Sequence, residues 1–275
     1  MHITSWAQVI ESLDDPRVAG YRNLRERSLR DEGVFITEGA LLAERLLQSR
    51  FAVESLFVTL ENAVRFAELL QSRAPLYVAE AALMRQIVGF DFHRGVLGLG
   101  RRLPFPNATS AIGHVLSSGE RLRLLACPGT ETAENLGLIL RSAAAFGIDA
   151  VLLPHDGADP LSRRCLRQSM GSALSLPIAR SADLLRELCA LRRQCDVRLI
   201  AAVADDEEGV VSLDQFIWPR RSALILGNEY SGLEQAWLES CDYRVTIPLA
   251  PGCDSLNVAV ATGVFLHHMR HTAIG

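Results

Sequence analysis

The first hundred residues alternate between short apolar runs and stretches in which apolar residues recur at helical spacing. Short runs rich in β-branched and aromatic residues are typical of strands, and a three-to-four-residue apolar period is typical of amphipathic helices. The strands predicted in this way are "GVFITEG", "AVESLFVT" and "PLYVA", and the helices are "ALLAERLLQSR" and "ENAVRFAELLQSR". This alternation predicts a small α/β domain.

The second half of the chain shows the same alternation. A helix is predicted from about Asn135 to Phe146, where Gly147 can close it in a left-handed conformation. Strands that alternate with helices favour a mostly parallel sheet covered by helices on both faces, so the predicted fold class is again α/β. The strands of this second unit are predicted at "LRLLAC", "DAVLLP", "VRLIAAVA", "SALILG" and "YRVTIPL".

A stretch of different composition separates the two regions. In "FDFHRGVLGLGRRLPFPNATS" an apolar strand gives way to arginine, proline and small polar residues, which are typical of a connector. We therefore predict a first domain at residues 1–103, a linker at 104–119 and a second domain at 120–275. The linker is expected to be mobile.

The composition is that of an ordinary globular protein, with 49% hydrophobic and 22% charged residues in 275. No apolar run approaches the roughly 18 residues of a membrane span, and the N-terminal segment has no basic region followed by an apolar one, as a secretory signal would. We therefore expect a cytoplasmic protein. The six cysteines have neither CxxC nor metal-ligand spacing, which indicates reduced thiols.

The net charge of −4 gives no overall basic field that would indicate nucleic acid, although a local patch could still bind it. All 28 basic residues are arginine, a good bidentate phosphate ligand. The segment "SLDDPRVAGYRNLRERSLR" is predicted to contain a basic helix, which is either a solvated face or an RNA-binding patch. Its candidate phosphate ligands are Arg22, Arg25, Arg27 and Arg30.

Three loops that follow predicted strands carry unusual polar residues, and in a parallel sheet ligands bind at the carboxyl ends of strands. In the first loop, Asn135 stands at a helix start, where it is either an N-cap or a functional group. Arg141 follows in an otherwise small and apolar helix, and we expect it to be buried with an anionic partner.

The second loop runs from Gly227 to Gly232 between a strand and a helix, and its glycines permit a tight turn or a close approach of a ligand. The third, in "IPLAPGCDSLNVAVATGVFL", places Ser255 and Asn257 at the start of a helix. Ser255 is the candidate N-cap, which leaves Asn257 to bind a ligand.

Together these loops resemble the SpoU/TrmH branch of the SPOUT methyltransferase superfamily over about Leu122 to Met269. "LRQSMGSALSLPI" is similar to the S-x-G segment of that family, and "FITEGALLAERLL" with "FHRGVLGLGRR" resembles the ribosomal-protein-like RNA-recognition domain often fused to it. The matching motifs are N-x-G-x-x-x-R at Asn135, Gly137 and Arg141; G-N-E at Gly227, Asn228 and Glu229, then Gly232; and I-P at Ile247 and Pro248, then S-L-N-V from Ser255 to Val258.

The resemblance implies transfer of the methyl group of S-adenosylmethionine to an RNA ribose 2′-hydroxyl. Because the sulfonium is already reactive, alignment of the acceptor oxygen is the main task of the protein, and strong acids and bases are not obligatory. The cofactor residues implied are Leu226, Gly227, Asn228, Gly232, Ile247, Leu249, Ser255 and Leu256.

The catalytic residues implied are Asn135, Arg141, Glu229, Ser255 and Asn257. Arg141 would hold the phosphate beside the target ribose and stabilise developing alkoxide charge. Ser255 and Asn257 would position the ribose, and Glu229 would handle the proton or orient Arg141.

The resemblance also implies a trefoil knot in the second domain and a homodimer with the active site at its interface. Ribosomal RNA is the favoured partner and transfer RNA the alternative. The sequence departs from the family in having Thr132 and Ala133 where Asp-Pro is common, and Tyr230 in place of a glycine.

Two other functions fit parts of the sequence. One is an RNA-binding member of the fold in which Tyr230 blocks the cofactor, and the other is a metal hydrolase. The hydrolase would use His267, His268 and His271, but no acidic third ligand lies nearby, and histidines in a last helical turn often interact with the helix dipole instead. We therefore expect no metal.

Overall fold

The structure is a computed structural model that describes residues 6–24, 29–30, 32–118, 121–204, 209–228 and 231–271. Contacts within the chain divide it into two units. The first unit extends to Pro104 and also includes Leu161–Ser175, which is inserted from the second half of the sequence. The second unit consists of Phe105–Pro160 and the chain from Leu176 onward.

The first unit is a five-stranded mixed sheet with strand order β1-β4-β3-β5-β2 and helices packed against it. Among its described residues are two clusters of buried apolar side chains, one of which includes Tyr21, Phe57 and Leu97. The strands are β1 (Ala7–Val9), β2 (Val34–Glu38), β3 (Val53–Thr59), β4 (Leu76–Ala79) and β5 (Val96–Arg101), and the helices are α1 (Ala40–Gln48), α2 (Leu60–Leu70) and α3 (Ala81–Val88).

The second unit contains a seven-stranded, all-parallel sheet with strand order β10-β12-β9-β11-β6-β7-β8. Its strands are β6 (Leu122–Ala126), β7 (Ala150–Pro154), β8 (Ile178–Ser181), β9 (Arg198–Val203), β10 (Val210–Ser212), β11 (Arg221–Leu226) and β12 (Tyr243–Thr246). The helices that follow β5 in sequence are α4 (Ala108–Ser118), α5 (Ala133–Phe146), α6 (Arg163–Gln168), α7 (Leu184–Cys195), α8 (Gln235–Ser240) and α9 (Val258–His271).

The predicted α/β fold class is confirmed, because every strand predicted from apolar runs is a strand of one of the two sheets. The end of α5 is also as predicted: Gly147 has φ +71° and its N–H bonds to carbonyl groups of the last turn. The six cysteines are free thiols, and burial raises the pKa of Cys127 to about 12.

The stretch expected to be a mobile linker contains a packed helix instead. Ala108, Ala111 and Ile112 of α4 are buried in the core of the second unit. The start of α4 is stabilised by Asn107, whose side chain accepts from the Ser110 N–H at 2.9 Å, and by Glu187, which accepts from the Ala108 N–H at 2.9 Å. Small residues and prolines in the sequence obscured a short amphipathic helix.

The basic helix expected around residues 22–30 is not present where the structure describes that segment. A 3-10 helix, Pro16–Tyr21, ends at Arg22, which is extended, and Asn23 follows with φ +50°, a left-handed conformation that does not continue a helix. Arg30 lies in a turn. Arg25 and Arg27 lie outside the described residues.

Candidate functional site

A cavity of about 380 Å³ lies at the carboxyl ends of β9, β11 and β12. These strands are neighbours in the parallel sheet, so the loops that follow them open at the same edge. None of the described residues lining the cavity carries a charge. They are Ala202, Val203, Ala204, Leu226, Gly227, Asn228, Ser231, Gly232, Leu233, Leu238, Thr246, Ile247, Leu249, Ser255, Leu256, Val258, Ala261 and Phe265.

All eight residues predicted to bind the cofactor line this one cavity: Leu226, Gly227, Asn228, Gly232, Ile247, Leu249, Ser255 and Leu256. Sequence reasoning missed the contributions of β9 (Ala202 to Ala204) and of α9 (Ala261 and Phe265). The apolar run "VRLIAAVA" predicted β9 as a strand, but only the strand order places β9 between β11 and β12.

Gly227 is required by the close approach of backbone within its loop. A Cβ at this position would lie 2.5 Å from the carbonyl carbon of Gly232, and backbone there cannot give way. The Asn228 N–H donates to the Gly232 oxygen at 2.8 Å and the Gly232 N–H donates back at 3.0 Å, while Gly232 has φ +67°. The loop is therefore a tight hairpin at the cavity edge.

Asn228 joins this hairpin to the loop after β6. Its side-chain amide donates to the Gly129 carbonyl at 3.2 Å and to Glu131 Oε1 at 3.1 Å. A Cβ on Gly129 would lie 2.6 Å from the Asn228 nitrogen, so the two loops are in backbone contact. The loops after β6 and β11 thus meet through Asn228.

Thr132, and not Asn135, is the N-cap of α5. The Thr132 hydroxyl accepts from the Asn135 N–H at 3.3 Å, which places Asn135 in the first turn. A small cavity of about 30 Å³ lies at this helix end and is bordered by Gly227 and Asn228, which also line the large cavity. The Asn135 side chain therefore lines a space beside the large cavity and has no capping role.

Asn257 is the N-cap of α9, a role expected for Ser255. Its Oδ1 accepts from the N–H groups of Ala259 at 2.9 Å and Val260 at 3.4 Å. Its amide nitrogen donates to Asn135 Oδ1 at 3.2 Å. The cap fixes which way the Asn257 amide points, and the Asn257–Asn135 bond joins the first and third motifs. Ser255 is exposed and lines the large cavity.

Arg141 is exposed, which corrects the expectation of a buried arginine with an anionic partner. The buried residues of α5 are Leu136, Gly137, Ile139, Leu140 and Ala143. Arg141 follows Gly137 by one turn and lies at the edge of this buried stripe. Arg141 is also absent from the lining of both cavities. Its position six residues after Asn135 corresponds to roughly 9 Å along the helix axis.

Glu229 and Tyr230 lie outside the described residues, so their predicted roles stay predictions. No group of three histidine, cysteine, aspartate or glutamate side chains that could hold a metal ion occurs in the described part of the chain. The three histidines considered for a metal site have other contacts. His268 Nδ1 accepts from the indole of Trp218 at 2.9 Å, and the rings of His267 and His271 lie 4.7 Å apart.

Comparison with known proteins identifies the family of the second unit. The model of the SpoU rRNA methylase family matches residues 123–267, which include all three motif loops. An uncharacterised tRNA/rRNA methyltransferase of Mycobacterium tuberculosis (strain ATCC 25618 / H37Rv) is 37% identical over 265 residues, covering 91% of this chain and 87% of the relative.

Two further similar proteins have more specific names. The 23S rRNA (guanosine-2′-O-)-methyltransferase RlmB of Acinetobacter baylyi is 27% identical over 192 residues, which are 70% of this chain and 76% of that protein. The crystal structure of an AdoMet-bound rRNA methyltransferase from Sinorhizobium meliloti superposes with a TM-score of 0.79 at 26% identity, covering 97% of this chain and 98% of that one. Within the described residues, every helix is too short or too polar to cross a membrane.

Proposed function

The chain belongs to the SpoU rRNA methylase family, and from that premise we propose that it uses S-adenosylmethionine to methylate a ribose 2′-hydroxyl of RNA. Ribosomal RNA is the favoured substrate. Support for the 2′-hydroxyl and for ribosomal RNA comes from the similarity to RlmB of Acinetobacter baylyi, whose name gives both. Transfer RNA is the alternative, because the name of the mycobacterial relative includes it.

The observation that carries the proposal is the cavity where the second and third motifs meet. Its volume of about 380 Å³ falls within the roughly 300–1,000 Å³ of small-molecule sites. The chemistry of the lining also fits S-adenosylmethionine, because apolar side chains suit an adenine ring and backbone groups near Gly227 and Ile247 can hydrogen-bond to its edge. When bound, S-adenosylmethionine supplies an activated methyl group.

The residues on the acceptor side would bind and orient the ribose. Asn135 and Asn257 are joined at 3.2 Å beside the small cavity, and Ser255 is exposed at the rim of the large one. Gly227 and Asn228 line both cavities. A ribose hydroxyl held beside these two residues would therefore be next to the cavity proposed to bind the methyl donor. Alignment of this kind is a large part of catalysis when the electrophile is already reactive.

In this proposal Arg141 acts at the site of a second copy of the chain, because it lines neither cavity of its own subunit. It is exposed on α5, where its neighbour Leu138 is 38% exposed, and the adjacent helix α9 exposes Val260 at 55% and Val264 at 39%. Such an apolar face fits a homodimer in which Arg141 from one subunit grips the phosphate bound at the site of its partner. The proposal therefore includes an active site completed by dimerisation.

The first unit is proposed to recognise the RNA. Arg22 and Arg30 are its described candidate ligands from the sequence, and Arg25 and Arg27 complete the predicted set. With a ribosomal RNA substrate the enzyme would act in the cytoplasm.

Methyl transfer from isotope-labelled S-adenosylmethionine to unmodified ribosomal RNA, followed by mass spectrometry of nucleosides, tests the proposal. We expect a labelled 2′-O-methylnucleoside, and titration of the cofactor alone should show binding to the purified protein. If the label appeared in transfer RNA and not in ribosomal RNA, transfer RNA would be favoured as the substrate. Binding of RNA without binding of the cofactor would instead favour a non-catalytic RNA-binding protein.

A further inference from the structure

Helix α6 is the part of the inserted segment Leu161–Ser175 that packs against β2 of the first unit. In sequence the segment lies between β7 and β8. Its sequence "SRRCLR" is basic, and Arg163, Arg164 and Arg167 come within five residues. The S-x-G resemblance gave these arginines no role.

Arg163 anchors α6 to the first unit. Its guanidinium donates to the Leu24 carbonyl, lies 3.5 Å from Glu38 Oε2, and stacks 4.6 Å above the centre of the Phe90 ring. The side chain of Glu38 is only 7% exposed, so its carboxylate is held in place within the unit. These contacts make Arg163 a structural residue that fixes the position of the neighbouring arginines.

Glu38 is surrounded by more positive charge than it can neutralise. Arg167 lies 3.9 Å from the same Oε2 atom that Arg163 approaches. Arg94 covers the next residue, Gly39, where a Cβ would lie 3.1 Å from the Arg94 Cδ. One carboxylate is therefore approached by two guanidinium groups, and a third arginine covers the residue next to it. The excess charge favours an anion on this surface.

The arginines that do not anchor α6 are accessible. Arg94 and Arg164 are exposed, and the side chain of Arg167 is 42% exposed. Arg164 and Arg167 are three residues apart on α6, a spacing that brings side chains to the same side of a helix, roughly 5–6 Å apart at Cβ. Guanidinium groups at such spacing can contact successive phosphates of a nucleic acid backbone.

Arg163 also contacts the described start of the arginine segment predicted from sequence. The Leu24 carbonyl, which accepts the hydrogen bond from Arg163, directly follows Arg22 and Asn23 and precedes Arg25. Arg163 of α6 thus lies beside Leu24, two residues after Arg22, although the two contacting residues are about 140 positions apart in sequence.

We propose that Arg94, Arg164 and Arg167 form a phosphate-binding face for the RNA substrate on the first unit, positioned by the Arg163–Glu38 anchor. The inference rests on the proposed function, because it names the surface that holds the proposed RNA.

Replacement of all three arginines by glutamine tests the face, with in-vitro transcribed 23S ribosomal RNA as the probe in filter binding at several salt concentrations. We expect the affinity to fall by roughly tenfold or more near physiological salt. The slope of log affinity against log salt should decrease by roughly two, because each lost phosphate contact removes about 0.7–0.9. Binding of S-adenosylmethionine should stay unchanged.

A second triple variant, Arg50→Gln with Arg65→Gln and Arg73→Gln, is the matched control. These arginines are also exposed on the first unit, and their loss changes the net charge equally. Arg50 follows the far end of α1 from Gly39, roughly 15 Å away by helical rise. If both triple variants lost RNA affinity and salt-dependence slope equally, the proposed phosphate-binding face would be refuted. If the unchanged protein neither bound RNA nor transferred a methyl group, the proposed function itself would be overturned. That result is distinct from one in which the Arg94, Arg164 and Arg167 triple variant behaves like its control.

Discussion

At the scale of single residues, three carboxamide side chains hold the motif loops together. Thr132 caps α5, so the Asn135 side chain is left to face the small cavity. Asn257 performs two tasks at once, because one atom of its amide caps α9 and the other donates to Asn135. Asn228 joins the loops after β6 and β11 through Gly129 and Glu131. These bonds connect the three motif loops.

The two tasks of Asn257 can be separated by mutation. Asn257→Asp keeps an oxygen that can cap α9 but removes the amide donor to Asn135, whereas Asn257→Ala removes both. We expect the Ala variant to lose about 0.5–2 kcal/mol of unfolding free energy and the Asp variant to lose little. Both should lose methyl transfer activity. Thermal unfolding and single-turnover methylation measure the two effects, and an Asp variant with full activity would contradict the positioning role.

Arg141 is the residue whose loss should affect chemistry alone. Because it is exposed and lines neither cavity, Arg141→Ala should fold normally and bind S-adenosylmethionine as the unchanged protein does. Methyl transfer should fall by roughly two to four orders of magnitude, as on loss of an oxyanion-type contact. Arg141→Lys should recover little, because an ammonium group cannot reproduce a planar two-point grip.

Single-turnover methylation beside a cofactor titration checks both halves of the Arg141 prediction. Near-normal turnover in the Ala variant would refute the catalytic assignment. Loss of folding would refute the exposed position and indicate a structural ion pair.

At the scale of elements, α9 connects the cavity to a buried aromatic cluster. Phe265 of α9 lines the cavity, and three residues later His268 accepts a hydrogen bond from Trp218, which is 1% exposed. Phe216 packs edge-on against Trp218 at 5.1 Å. Because the buried indole N–H needs an acceptor, this bond requires His268 to be unprotonated at Nδ1.

The Trp218–His268 bond makes the stability of the fold dependent on pH. Burial lowers the pKa of His268 below its ordinary value of 6.5, and nearby Asp214 opposes that change. The unfolded chain therefore takes up a proton more readily than the folded one. The stabilisation is complete above about pH 6.5 and is lost as the pH falls through the pKa of the folded state.

Thermal unfolding at pH 7.5 and pH 5 measures this dependence. His268→Asn, which retains an acceptor but does not titrate, should show a smaller drop in melting temperature on acidification than the unchanged protein. His93→Asn is the control, since His93 pairs with Asp91 on the surface and its side chain is 73% exposed. Equal drops in all three proteins would refute the role of His268.

At the scale of the whole molecule, the chain is not divided into two domains that simply follow one another in sequence. The segment Leu161–Ser175 of the second half belongs to the first unit, so the chain passes between the units three times. The expected linker contains α4, which is part of the core of the second unit. The assignment of RNA recognition to one unit and methyl transfer to the other stays a prediction.

Dimerisation is the whole-molecule prediction with the clearest test. Val264→Asp puts a charge in the centre of the exposed apolar face of α5 and α9, and it should yield a monomer that no longer transfers methyl groups. Val64→Asp on α2 is a matched control, because Val64 is 37% exposed and Val264 is 39% exposed. Light scattering after size exclusion gives the mass. A dimeric Val264→Asp protein, or a monomeric unchanged protein, would contradict the proposed interface.

The sequence by itself determined the α/β class, the positions of the predicted strands and eight of the residues that line the large cavity. It could do so because apolar runs report burial locally and because the motif residues lie directly after strands. Local patterns also misled: the arginines, prolines and small polar residues around the start of α4 suggested a connector, and the sequence favoured Ser255 as the cap of α9, where Asn257 is the cap.

Only the tertiary structure decided which side of α5 is buried and hence that Arg141 is exposed. It alone placed β9 between β11 and β12, paired Asn135 with Asn257, and moved α6 to the first unit beside Glu38. Each of these depends on contacts between residues far apart in sequence, and a pattern read within a short window carries no information about them. The sequence specifies which groups are available, and long-range packing determines which of them meet.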